Sequence, residues 1–243
     1  MKRVRVWIYL LAAGAALVSA RAETAPTAGQ VIERYIEAAG GRDALERLRS
    51  RVMRGQIEVT ALGATGAFEI RSKAPDRQVS KIEFPVFGTL REGYDGTVAW
   101  AVVPLQGLRV KEKEELARVQ RSTGFPRELS LGKAYRRLEV KGAVDVGGKP
   151  AWLLEGHPAE GKPDRLYFDR ATGLLVREET TVKTLVGEMT FQVDLGDYRV
   201  VDGVQVPFSM RMPRPADVGF RIAIEEVHHN VPMEESEFAK PAR

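Results

Sequence analysis

Strict alternation of apolar and polar residues runs through most of this chain. Ile57, Val59 and Ala61 alternate with Gln56, Glu58 and Thr60, and Phe68 and Ile70 alternate with Glu69 and Arg71. Ser80, Ile82 and Phe84 share one side of a further run. The pattern returns at Met189, Phe191, Val193 and Leu195, at Val204, Val206, Phe208, Met210 and Met212, and at Phe220, Ile222 and Ile224. A side-chain period of two belongs to strands with one dry and one wet face. Gly147-Gly148, Asp169 to Gly173 and Asp202-Gly203 lie between successive runs with hairpin chemistry, so consecutive strands are predicted to be antiparallel neighbours. Pro207 and Pro213 predict that their strand lies at an edge or is bulged. The run Val98 to Val103, apolar on both faces, predicts a central strand carrying Trp100. No repeat, low-complexity tract or linker divides the chain, so residues 23–243 read as one domain.

Helical spacing is confined to a few places. Val31, Ile32, Tyr35, Ile36 and Ala39 form one apolar stripe, with Glu33, Arg34 and Glu37 opposite and Gly40-Gly41 as the stop. Arg42 to Leu48 reads as a second short helix and Lys111 to Gln120 as a third, with Glu114 four residues before Arg118.

The first 22 residues have a different character. Lys2, Arg3 and Arg5 precede an apolar stretch from Ile8 to Val18 that is short for a bilayer span, and Ala20-Arg21-Ala22 is a small-x-small site. This reads as a cleaved secretory signal and predicts a periplasmic protein. With no Cys there is no lipidation site and no disulfide. Four of the 37 Lys and Arg lie in this leader, and the other 33 balance the 33 Asp and Glu. The basic character thus belongs to the leader, and nucleic acid and anionic membrane surfaces are dropped as default partners.

The alternation leaves a surplus of apolar surface. Some ten strands with one apolar face each, joined in one curved sheet, turn those faces toward one concave side. Each large side chain withdrawn from water there contributes about 1.5–3 kcal/mol. An amphipathic helix covers a strip only about 10 Å wide. A sheet wider than its helical lid predicts an apolar cavity or groove, the default binding site; tight closure around ordinary core is the alternative. Phe68, Ile70, Ile82, Trp100, Phe191, Val193, Phe208, Met210, Phe220 and Ile222 are the candidate lining residues, each also readable as core.

No residue set reads as catalytic or metal-binding. His157 stands between Gly156 and Pro158 in a predicted loop, and the adjacent His228 and His229 point to opposite faces of a strand. Ser122 and Ser130 lack a nucleophile turn. The acid pairs, Glu178-Glu179 and Glu225-Glu226 among them, read as solvated faces. There is no phosphate-binding loop, dinucleotide fingerprint or zinc spacing, and no cofactor is expected.

The order of elements resembles the bacterial lipoprotein-carrier superfamily, the LolA/LolB-like proteins. Gly66 to Pro75 is similar to that family's strand ending in a basic residue and Pro, and Tyr94-Asp95-Gly96 through Trp100 to its "DG…W" hairpin. Leu166 to Asp169 with Thr172 to Leu175 resembles its late hairpin, and Asn230, Phe238 and Pro241 its closing tail. The resemblance implies an α+β fold, mainly β with an α lid: an unclosed, strongly curved antiparallel half-barrel wrapped around short helices. It further implies a non-catalytic, monomeric carrier that shields the acyl chain of a lipid or lipoprotein between membrane-bound donor and acceptor proteins. The alternative is an envelope sensor or assembly factor that binds protein. One departure stands out: Ala74 precedes Pro75 where the best-known carriers have a lid-latching Arg, with Lys73 one residue earlier.

Overall fold

The computed structural model describes residues 25–184, 187–214 and 219–242. The leader lies outside them. Helix α1 (Ala28–Ala38) starts where Thr27 accepts from the Gln30 amide and the Gln30 side chain returns the bond to the Thr27 amide. It stops at Gly40, whose φ of 125° suits glycine. A Cβ there would lie 2.3 Å from the Gly203 carbonyl, so the glycine lets the helix end touch the sheet. Helix α2 (Arg42–Glu46) follows, shorter than its sequence suggested.

The strands then come in two sets. β1 (Ser50–Val59), β2 (Ala64–Lys73), β3 (Arg77–Phe84), β4 (Gly88–Tyr94), β5 (Ala99–Val103) and β6 (Gly107–Lys111) form an N-terminal wing. After α3 (Lys113–Ser122), α4 (Arg127–Ser130) and a 3-10 turn at Leu131–Lys133, a C-terminal wing follows. It comprises β7 (Arg137–Val146), β8 (Lys149–His157), β9 (Asp164–Asp169), β10 (Leu175–Thr184), β11 (Gly187–Val201), β12 (Val204–Arg214) and β13 (Phe220–His229).

Each wing is a plain antiparallel meander, and β1 pairs with β13 to join them, so the order runs β6-β5-β4-β3-β2-β1-β13-β12-β11-β10-β9-β8-β7. The sheet is not closed: β6 and β7 are its two edges, and this is the unclosed half-barrel expected from the sequence. The chain must cross the open side from one edge to the other, and α3 and α4 lie in that crossing. The lid is therefore a consequence of the strand order.

Residues opposite one another in register share a face. Ile57, Ile222, Met210 and Leu195 form one such row, and Leu154, Leu166, Glu178 and Val193 another. These rows face α1, whose Val31, Ile32, Tyr35 and Ile36 are buried in the main apolar cluster with Leu154, Phe168, Val204 and Phe208. The Tyr35 and Phe168 rings meet edge to face at 5.4 Å. Here α1, α2, the lid and the dry rows make the core.

Two sequence expectations are corrected here and a third is resolved. The strand of Pro207 and Pro213 is interior by order rather than at an edge, but it is bulged: between the Gln192–Arg214 and Asp194–Arg211 pairs β12 has one residue more than β11, at Met212 and Pro213. Only Ser209–Met212 pair with β13, so Pro207 lies where β12 is paired with β11 alone. A missing N–H is tolerated on such a locally unpaired side. β5 is second from the edge, not central. Its double-faced apolarity is explained by the chain's end: residues 231–238 cross the outer face of the N-terminal wing. There Val52, Val79, Trp100, Met233 and Phe238 form a second buried cluster. His157 closes β8 rather than lying in a loop.

Candidate functional site

Of the ten candidate lining residues, nine lie on the inner face and one does not. Phe68, Phe208 and Ile222 are buried within the main cluster, and Ile70, Ile82, Met210 and Phe220 are half-buried against it. Phe191 and Val193 are half-buried opposite Thr180 and Glu178. Trp100 is on the other face, where its Nε1 donates to the Phe238 carbonyl at 2.9 Å beneath the C-terminal tail. Its indole lies across Gly93, where a Cβ would come within 2.3 Å of the ring. The parity of Trp100 matches Val52 and Val79, which share its outward row, rather than Phe68.

The expected hollow under the lid is occupied. Tyr35, Ile36, Leu45 and Leu131 fill the space over the inner face. Among the described residues, the cavities lie elsewhere: a small polar one of 90 Å³ under α3 between Gln78, Glu92 and Lys111, and larger ones outside the filled space. One of 260 Å³ is lined by Glu114, Arg118, Arg121, Lys162 and Thr180 to Lys183, and a 40 Å³ extension reaches Arg127, Tyr135, Asp164 and Glu178. Another of 370 Å³ touches Leu195 and Ile222 but also Asp194, Arg211 and Arg221. A third, 420 Å³, lies at the start of α1 beside Trp152.

The lid is held by charge. None of the residues of α3 is buried. Arg121 instead donates to Asp164 Oδ2 at 3.0 Å, a carboxylate that also accepts from the Tyr135 hydroxyl at 3.0 Å. Arg109 grips Glu115 with two 2.8 Å hydrogen bonds. On α4, Arg127 donates to Glu178 of β10. Burial lowers the Arg127 pKa, but the Glu178 carboxylate more than offsets it and holds the guanidinium firmly charged. Burial raises the pKa values of Tyr35, Tyr135 and Tyr198 around this pair, with nearby carboxylates adding to the effect, so all three stay neutral. Glu128 is buried beside them with Oε2 lacking a hydrogen-bond partner, as does Oδ1 of Asp164.

At the other end of the lid, the Phe125 amide donates to the Pro75 carbonyl at 2.7 Å. Lys73 is turned away from the lid, its Nζ bonding the Met233 carbonyl and Glu235 on the tail. The cation against the lid comes from the neighbouring strand: Arg51 is centred 5.4 Å from the Phe125 ring. Arg51 Nε donates to His229 Nε2 at 2.9 Å, and His229 Nδ1 sits 3.0 Å from Asp202. This pairing assigns the neutral tautomer with the proton on Nδ1. Burial and the Arg51 charge lower the His229 pKa, against the opposing pull of Asp202. As the strand period requires, His228 points to the exposed side.

Glu178 and Arg51 escaped the sequence reading. Both occupy inward positions: Glu178 is in the row of Leu166, and Arg51 is two residues before Met53 and six before Ile57. A charge at an apolar parity was the available signal. Glu139, Glu155 and His157 bring ligand-type atoms within 4.8 Å of one another on β7 and β8. Lys141 and Arg137 already neutralise that group, which makes it an ion-pair cluster.

No family model and no curated protein matches the sequence. Solved structures do match in fold. A LolA superfamily protein from Nitrosomonas europaea superposes with a TM-score of 0.61 at 11% identity, covering 89% of this chain and 99% of that one. A domain from Vibrio parahaemolyticus, whose name assigns it to outer-membrane lipoprotein sorting, gives 0.58 at 13% identity over 87% and 97% of the two chains. A DUF1329 family protein from Desulfovibrio piger gives 0.57 at 16% identity over 87% and 96%. The chain thus has the LolA-like fold.

Proposed function

We propose that this protein is a periplasmic carrier that shields the acyl chain of a lipid or lipoprotein against the inner face of the half-barrel, without catalysis. The observation that carries this reading is the construction of the lid. The apolar rows lie under α1, α2 and the 3-10 turn, and the crossing closes the open side with a longer helix that buries no side chain and is pinned by ion pairs. Lifting it exposes Arg121, Arg127, Asp164 and Glu178 to water, which solvates them well, and opens a way past the polar inner edge to those rows. Each CH₂ that a guest buries there contributes about 0.8 kcal/mol, so a long acyl chain offsets the cost of opening. The guest lies along Phe191, Val193, Met210, Phe220, Ile222 and Phe208, and on across Phe68, Ile70 and Ile82. The name of the Vibrio domain and the leader expected at residues 1–22 support the compartment and the cargo class. Among the described residues no helix is long and apolar enough to cross a membrane.

The test is direct. Protein purified from a native envelope is expected to carry lipid detectable by mass spectrometry, and the emptied protein to bind a fluorescent fatty acid saturably. Phe191→Glu is expected to abolish that binding while the circular dichroism spectrum is unchanged. Absence of both co-purified lipid and saturable binding refutes the carrier. The filled interior favours a second reading, an envelope sensor or assembly factor of the same fold that binds a protein partner with its lid shut.

A further inference from the structure

Large apolar side chains are exposed at only a few places among the described residues, and most of those share one rim. Leu62 is 67% exposed, Val86 84%, Phe87 49% and Leu105 fully exposed. They occupy the β1–β2, β3–β4 and β5–β6 turns. In an antiparallel meander every second turn falls at the same end of the sheet, so these three tips stand in a row. Adjacent tips are two strands, or about 10 Å, apart, and the row is about 20 Å long.

The tips also lack charge. No Asp, Glu, Lys or Arg occurs in residues 59–68, 84–90 or 97–108. Hairpin apices ordinarily carry Asn, Asp, Gly or Ser. Here Gly63, Gly88 and Gly107 supply the positive φ angles of the three turns, yet Leu105 also has a φ of 67°. That conformation is unfavourable for a bulky residue, and full exposure means that no packing within the fold compensates for it. Strain kept at a position that contributes nothing to the core points to a role outside the fold.

We infer that this rim docks on the surface of a phospholipid bilayer. Three separate protruding points form neither the groove nor the continuous flat patch that a folded partner or a second copy of the chain needs. An interfacial lipid layer takes up each apex independently. The flanking charges stand back from the tips and cancel: Lys81 pairs with Glu83 at 2.7 Å, Arg109 with Glu115 at 2.8 Å, and Arg91 and Glu58 add one charge of each sign. A rim without net charge complements a zwitterionic surface, so insertion of the tips supplies the binding. This inference does not depend on what the half-barrel carries.

The experiment is flotation of the full chain with phosphatidylcholine vesicles, with and without phosphatidylglycerol, at low and high salt. Binding is expected to both compositions and to be insensitive to salt. The triple variant Leu62→Ser, Phe87→Ser, Leu105→Ser is expected to lose about tenfold or more in partitioning while keeping its fatty-acid titration, which separates this site from the carrier face. Leu105→Asn alone is expected to weaken flotation while raising thermal stability, because Asn tolerates the positive φ. The inference is overturned if the chain floats with neither composition, if it requires phosphatidylglycerol and is released by salt, or if the triple variant floats unchanged. A wild-type dimer that the triple variant dissociates overturns it as well.

Discussion

The two wings of the sheet cover their faces in opposite ways. In the C-terminal wing the grease points inward: Leu154, Leu166, Phe168 and Leu175 lie under α1, while the outer side carries ion pairs such as Arg177 and Arg211 on Asp194. That pairing outweighs the desolvation of Asp194 and keeps its pKa low. In the N-terminal wing part of the grease points outward, under the tail, and the inner side near the lid holds Gln78, Glu92 and Lys111 around a 90 Å³ cavity. Alternation fixes which residues share a face, whereas the covering segment decides which face is inside. A guest therefore has its driest bed near the junction of the wings, around Phe208, Met210, Phe220 and Ile222.

The largest effect is expected at the tail. Phe238 is fully buried, so Phe238→Ala is expected to cost about 3–5 kcal/mol in denaturant titration. Hydrogen exchange should then rise in β1 to β5 and stay slow in β8 and β9. Equal loss in both wings would mean that the second cluster is not a separate unit. A smaller effect is expected at the lid. Glu178→Gln leaves Arg127 without its charge partner. With the two side chains 25% and 29% exposed, water screens part of the loss, and about 1–3 kcal/mol is expected. The change should appear as faster exchange in residues 113–131, and unaltered protection there would show that the ion pair does not hold the lid.

The smallest effect concerns pH. His229 is neutral in the fold, facing Arg51 and Asp202, with Glu128 nearby. Its folded pKa is depressed, so as pH falls below about 6.5 the unfolded chain takes up a proton that the fold refuses. Stability contributed at neutral pH is lost through that window. A shallow decline in melting temperature on acidification is expected, flattened in His229→Gln; an identical slope in that variant would assign the decline to other groups.

Much of this fold could be read in the sequence. Strand faces, α1 with its stripe from Val31 to Ala39, and the Asp95 and Asp169 turns all follow from local rules. Both carboxylates accept from amides two and three residues ahead, as turn chemistry requires. What escaped is what depends on distant segments. Nothing local to Ala99–Val103 reveals that residues 231–238 will cover it. Glu178 looked solvated because its partner Arg127 lies 51 residues away. The inward parity of nine candidate residues was legible, but the filling of the space above them by Tyr35 and Leu131 was not, because periodicity carries no information about volume.

The seam between β1 and β13 has a kinetic consequence. It joins residues 51–59 to residues 220–229, so the strand that unites the halves is the last of this sheet's strands to leave a ribosome or a translocation channel. Until then each meander waits with an open margin, β1 on one and β12 on the other, able to recruit the wrong neighbour. Loop closure over so long a separation is slow. A chain cut short before β13 is thus expected to yield two uncoupled, aggregation-prone pieces rather than a slightly smaller version of the same protein.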